Sequence, residues 1–354
     1  MSHLEIAGLR VGPGTRAFTT IPVTRTLLGA ELALPLHIVC GREAGPVLGL
    51  TAGIHGVEHL GVWIVRDALK ALHPEALRGV VVAVPVANPL SFVRASRVTP
   101  EDDIDFGNLN RVFPGRRATP VFGGGAAHPS DRTVTEMLAS TLTEQVLPHL
   151  THLLDFHTHF NGVGLAKVII GRELPERVRD SAWRMAKAFG MPLIQEETMR
   201  ATTCTGQAAA MGVPAIAPEV GGDQLPTQVA RRCVTMNVRG ILGVMAALGM
   251  LPQEAKPPVR YFIFRHVPHV RPRTAGYLIP VHDPVDLFAE GRFGVEVKAG
   301  EPLGHLFDPY TLEDVEELSA PTDGILYMSR RAGPIEAGGH AFAVASYEES
   351  RVES

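Results

Sequence analysis

The sequence predicts an α/β layer fold followed by a smaller all-β module, and three features point there. Over roughly the first 250 residues, short apolar runs alternate with longer stretches of helical periodicity. A Pro-rich polar stretch, LPQEAKPPVR, then interrupts the pattern near residue 256. Beyond it come short β-like runs and turn glycines, with one short helical candidate, TLEDVEEL. The expected division is 1–255 and 256–354, with residues 1–25 packing on the β module.

HIVCG (from His37), GPVLGLTAGI (from Gly45) and GVVVAVPVAN (from Gly79) have the unbroken apolar character of buried strands. THLLDFHT (from Thr151), GLAKVIIG (from Gly164) and VPAIAPEV (from Val213) share it. GVWIVRDALKAL, from Gly61, is a helix by periodicity. In DRTVTEMLASTLTEQVL, Val134, Leu138, Leu142 and Val146 recur every fourth residue, with Ser130 as the expected N-cap. PERVRDSAWRMAKAFG aligns Val178, Ala182, Met185 and Phe189 and stops at Gly190. A further helix is expected from about Gln228 to Leu251.

Composition narrows the class. A chain of 354 residues suggests about two domains. With 45% hydrophobic and 20% charged residues it is globular rather than disordered. Its formal charge of -4 carries no polyanion-binding footprint, so nucleic acid is not an expected partner. Cys40, Cys204 and Cys233 are too few and scattered for a disulfide framework or a Cys-type zinc site. The amino terminus lacks a secretory pattern, and no apolar run reaches the roughly 18 residues of a membrane span. A soluble, cytoplasmic protein is the expectation.

The chemistry gathers at predicted strand ends. GIHGVEHLG places His55 and Glu58 three apart where GPVLGLTAGI gives way to a helical pattern. Open α/β sheets bind ligands at such carboxyl ends. His55 is expected from the loop and Glu58 from the first helical turn, both within reach of one cation. The plainer alternative is a solvated His and an acid favoured by the helix dipole.

Catalytic zinc commonly takes three protein ligands, His₂Glu among them. LLDFHTHF offers Asp155, His157 and His159 at alternate positions, which share one side of a strand. Spacing alone does not separate His157 from His159. The intervening loop NPLSFVRASRVTPEDDIDFGNLNRVFPG holds Asn88, Arg94, Arg97, Asn110 and Arg111. Guanidinium groups there suit a carboxylate or a polarised amide carbonyl. The same arginines can instead pair with Glu101, Asp102, Asp103 and Asp105. In PAIAPEVGG, Glu219 ends another strand, where a carboxylate can serve as a general base.

Taken together, HGxE as GIHGVEH, NP…R…LNRxFPG, DxHT as DFHTH and ExGG as EVGG resemble the succinylglutamate desuccinylase/aspartoacylase family. That resemblance implies a zinc-carboxypeptidase-like mixed sheet flanked by helices. By position it implies one zinc ion per chain held by His55, Glu58 and His157, with His157 chosen as the His of DxH. It implies Glu219 as general base, Arg97 as the residue polarising the scissile carbonyl, and Asn110 with Arg111 gripping the substrate carboxylate. Two departures stand out: the inserted acidic segment VTPEDDIDFG, which leaves Arg94 as an alternative to Arg97, and Asn108 in place of the usual Asp.

The tail resembles the barrel-sandwich of biotinyl and lipoyl domains, but DPYTLEDVEELS carries no modifiable Lys at the expected hairpin tip. A lid or assembly role without an attached cofactor is expected. The implied activity is removal of an acetyl or succinyl group from a small N-acyl amino acid. The alternatives are a zinc carboxypeptidase acting on short peptides and a non-catalytic zinc-binding member. The second domain and the family's relatives favour a homo-oligomer.

Overall fold

Val80, Val82 and Val84 leave one face of their strand and Val81 and Ala83 the other, and each set meets its own core. This period-two alternation is what a central strand buried on both faces requires. A computed structural model describes residues 4–99, 107–115, 132–159, 162–222, 225–252, 259–283, 285 and 294–353.

The chain opens with β1 (Leu4–Ile6), β2 (Leu9–Val11), β3 (Thr15–Arg25), β4 (Glu31–Cys40) and β5 (Glu43–Thr51). Next come α1 (Leu60–Ala71), β6 (Arg78–Val84), α2 (Pro89–Val93), α3 (Val134–Gln145), β7 (His152–Asp155) and β8 (His157–His159). β9 (Gly162–Gly171), α4 (Glu176–Phe189), β10 (Leu193–Glu197), α5 (Cys204–Ala210), β11 (Ala215–Gly222) and α6 (Thr227–Ala247) follow. The remaining strands are β12 (Tyr261–Phe264), β13 (His269–Val270), β14 (Gly276–Pro280), β15 (Val295–Val297) and β16 (Pro302–Phe307). Last are β17 (Asp314–Ser319), β18 (Gly324–Arg330), β19 (Gly333–Ile335), β20 (Phe342–Ser346) and β21 (Ser350–Glu353).

One mixed sheet runs β13-β20-β18-β9-β11-β7-β5-β6-β4-β3. β5 is parallel to both β6 and β7, and β7 to β11, whereas β4 runs antiparallel to β3 and β6, and β9 antiparallel to β11 and β18. On one face, α1, α4 and α6 contribute Ile64, Val65, Met185, Phe189, Ile241 and Met245 to a core with Leu48, Leu50 and Leu154. On the other, Leu138 and Leu142 of α3 and Cys204 and Ala208 of α5 pack with Ile38, Val82 and Leu153. The three cysteines are buried and unpaired in disulfides.

Three expectations are corrected. Residues 4–25 pack on the second core of the large sheet, not on the β module: β3 pairs with β4 from Thr15 to Arg25, β1 and β2 form a separate two-stranded sheet, and Leu4, Ile6, Val11 and Ile21 enter that core. TLEDVEEL forms no helix; most of it is β17, whose ladder to β16 overrides the three-residue spacing of Leu312, Val315 and Leu318. The helix after residue 131 starts at Val134, capped by Thr133 in a reciprocal capping box with Glu136; Ser130 lies outside the described residues.

Of the strands after residue 259, β12, β13, β15, β18, β20 and β21 join the large sheet, while β14, β16, β17 and β19 form a separate four-stranded sheet in the order β17-β16-β14-β19. β12 lies parallel to β10, and Met328, Ser329 and Arg330 of β18 pair with Gly164, Val163 and Gly162 of β9. Among the described residues no helix is long and apolar enough to cross a membrane.

Candidate metal centre and active site

β5 and β7 end side by side, Thr51 opposite Asp155, and their carboxyl ends open into a pocket of about 1210 Å³. The chain leaves β5 through Gly53, at φ 65°, a conformation that favours glycine. At Gly56 it presses against α2: a Cβ there would lie 2.0 Å from the Ser91 carbonyl carbon. The intervening turn closes where the Glu58 N–H donates to the His55 carbonyl at 3.1 Å. α1 begins only at Leu60, so Glu58 stands in the turn before the helix rather than in its first turn.

His55, Glu58 and His157 are buried and bring one ligand atom each to within 4.8 Å of one another. Nδ1 of His55 is 2.8 Å from Glu58 Oε1, and Nδ1 of His157 is 2.9 Å from Oε2. The outer nitrogens are engaged elsewhere. A carboxylate can only accept, so Nε2 of His157 donates to Asp155 Oδ2 at 3.0 Å. The other oxygen of Asp155 accepts from Thr51 Oγ1 at 2.6 Å. Nε2 of His55 lies 3.2 Å from Asn108 Oδ1.

Two imidazoles with their outer nitrogens held by oxygen acceptors present Nδ1 inward, beside a carboxylate. That donor set fits a divalent transition metal, and zinc among them.

The electrostatics agree with a preformed cluster. Burial pushes the Glu58 carboxyl up, but His157 and His55 outweigh it and hold the group at about 2. His157 is likewise opposed by burial, yet Asp155 and Glu58 raise it well above the ordinary histidine value. Arg97 reaches the same site, its Nη1 3.5 Å from Glu58 Oε1, and Arg97 lines the pocket. Burial lowers its guanidinium, while Glu58 and Glu219 act in the opposite sense. Arg94 is exposed and does not line this pocket.

Glu219 is aimed by an irregularity in its strand. The pairing of β11 with both β8 and β9 slips between Glu219 and the Gly221–Gly222 pair, and Gly221 sits at φ 89°. Its Oε2 is 2.9 Å from Lys167 Nζ and 3.3 Å from His159 Nε2. Burial raises this carboxyl, but Lys167 and His159 prevail and hold it well below the usual range. The three alternate residues of LLDFHTHF thus divide: Asp155 backs His157, His157 faces the metal cluster, and His159 faces Glu219.

Asn110 and Arg111 lie in a single 3-10 turn at the pocket wall. The Asn110 side-chain oxygen accepts from the Cys204 N–H at 2.9 Å, which ties this turn to the start of α5. Arg111 lowers its proton affinity through burial and the neighbouring Arg200 and Arg97 cations. The acids of the VTPEDDIDFG insertion fall at 101–105, outside the described residues.

The structure adds pocket residues that sequence reasoning missed. Lys167, Gln195 and Arg200 come from the chain before residue 259, and Arg271, Tyr327 and His340 from the chain after it. Lys167 carried a signal, being the one charge inside GLAKVIIG. The others carried none, since each sits in an unremarkable local sequence.

The pattern of the succinylglutamate desuccinylase/aspartoacylase catalytic domain matches residues 44–247. No curated protein matches the chain in sequence. Among solved structures, the product-bound ectoine utilization protein EutE of Ruegeria pomeroyi is similar at TM-score 0.76 and 22% identity, over 94% of this chain and 95% of that one. A succinylglutamate desuccinylase/aspartoacylase from Rhodobacter sphaeroides is similar at 0.74 and 24%, over 94% of each chain. An aspartoacylase family protein from Mesorhizobium loti gives 0.74 and 24%, over 97% of this chain and 96% of that one. At these identities the structural likeness carries the fold.

Proposed function

The chain belongs to the succinylglutamate desuccinylase/aspartoacylase family, and from that premise we propose a zinc-dependent amidohydrolase that removes an acyl group, acetyl or succinyl, from an N-acyl amino acid. The observation that carries this reading is the convergence of His55, Glu58 and His157 in the pocket that also holds Glu219, Arg97 and Arg111. A zinc ion held by the first three, one per chain, would supply Lewis-acid polarisation of the amide and activation of water.

The chain's own residues account for the rest. Glu219 takes the proton from the attacking water on a carboxylate oxygen and delivers it to the leaving amine nitrogen. Arg97 places positive charge where the carbonyl oxygen becomes negative. Asn110 and Arg111 bind the substrate carboxylate through N–H donors. Asp155 and Asn108 hold the two imidazole rings in orientation.

The test is a panel of N-acetyl and N-succinyl amino acids, with dipeptides alongside, offered to the zinc-loaded protein. Release of acyl groups by the native chain and its collapse in Glu219→Gln, at unchanged zinc content, is the expected result. Undiminished turnover in Glu219→Gln would remove the assignment. Cleavage of the dipeptides alone would make the protein a carboxypeptidase.

A further inference from the structure

Lys167 is 4% exposed, in the middle of a strand that is otherwise apolar where described. A buried ammonium is costly unless it is paired and hydrogen-bonded. In the antiparallel ladder of β9 and β11, Lys167 stands directly opposite Glu219. Its Nζ is 2.9 Å from Glu219 Oε2 and 2.8 Å from Gln195 Oε1 on β10, and it lies over the Tyr327 ring of β18 at 4.9 Å from the centroid. An ammonium has three N–H donors. One donates to Gln195, Glu219 Oε2 stands at ion-pair distance, and a further side of the cation faces an aromatic ring.

We propose that Lys167 is a positioning residue for Glu219: a buried cation, itself anchored by Gln195 and Tyr327, that fixes the orientation and charge of the carboxylate during proton transfer. This rests on the reading of Glu219 as general base. Paired in charge with Glu219, bonded to Gln195 and covered by Tyr327, Lys167 acts through Glu219 and not on the substrate. When Glu219 has accepted a proton, the adjacent ammonium disfavours the neutral acid and drives the proton toward the leaving amine. The register of two strands thus supplies the base together with its counter-charge. The anchor from β18 makes the strands after residue 259 part of that arrangement.

The experiment compares Lys167→Met, Lys167→Arg, Gln195→Met and Glu219→Gln in the full-length zinc-loaded protein, on whichever N-acyl amino acid the native chain cleaves. Lys167→Met is expected to lower kcat about 30- to 100-fold with KM within threefold and zinc content unchanged. Lys167→Arg should recover at least a third of the lost factor, and Gln195→Met should lose about fivefold in kcat only. In a crystal structure of Lys167→Met the Glu219 carboxylate should leave its native position, a readout independent of turnover. Lys167→Met with kcat within threefold of native, or with the loss confined to KM, overturns the proposal. If Lys167→Met does not fold, unchanged kcat in both Lys167→Arg and Gln195→Met overturns it. A fully active Glu219→Gln instead removes the underlying assignment of the base.

Discussion

The carboxylate of Asp155 accepts from Nε2 of His157 at 3.0 Å, and its second oxygen is held by the hydroxyl of Thr51 across the β5–β7 pair. A chain of three buried side chains therefore sets the tautomer of a ring in the candidate metal cluster. Asp155→Asn is expected to retain the fold but weaken zinc binding about 10- to 100-fold, measured by competition with a chromophoric chelator.

Asn108 does the same for His55 with a neutral amide oxygen. A carboxylate at this position makes the imidazole a better donor to a metal. Asn108→Asp should therefore bind zinc more tightly, by about tenfold, and Asn108→Ala more weakly by a similar factor. The same chelator titration ranks the three proteins.

Arg97 and Arg94 lie three residues apart, yet only Arg97 lines the pocket. Arg97→Met is expected to cost about 100-fold in kcat. Arg94→Met should leave kcat within twofold, because its side chain meets solvent. Equal effects of the two substitutions in steady-state assays would contradict this placement.

Gly56→Ala places a methyl group against the Ser91 carbonyl carbon, where backbone rather than a flexible side chain must move. The expected loss of stability is at least about 2 kcal/mol. Zinc content should fall as well, since the displaced turn carries both His55 and Glu58. Urea unfolding together with metal analysis measures both effects.

His152 gives the protein an acid-side liability away from the site. Burial and the nearby Arg184 and Arg177 lower its imidazole to about 4, below the ordinary 6.5. The unfolded chain then binds the extra proton between those values, so stability falls as pH drops through 6.5 and the dependence flattens below about 4. After allowance for solvent screening the expected loss from pH 7 to 5 is about 1 kcal/mol. His152→Gln should flatten that part of a melting-temperature profile.

Much of the scaffold was legible because its residues answer to local rules. GVVVAVPVAN is apolar on both faces and became a strand buried on both faces. The α4 stripe of Val178, Ala182, Met185 and Phe189 became a buried helix face ending at Gly190 in the left-handed conformation. β3 and β10 were not legible. TRAFTTIPVTR has its polar residues in adjacent pairs with no clean alternation, and LIQEE bears charges that a buried strand normally excludes. Both are strands because neighbouring strands complete their hydrogen bonds.

The sequence by itself placed His55 and Glu58 at one strand end, because HxxE spans a single turn, and left His157 and His159 open at the next, the family resemblance alone favouring His157. Tertiary structure alone decided what faces Glu219. The opposition of Lys167 to Glu219 follows from the register of two strands whose facing residues are 52 apart in the chain. The Tyr327 ring comes from still further along, across the β9–β18 pairing. Local periodicity fixes which way a side chain points within its own strand. Which residue it meets is set by packing of the whole sheet, and that is where Glu219 acquires its counter-charge.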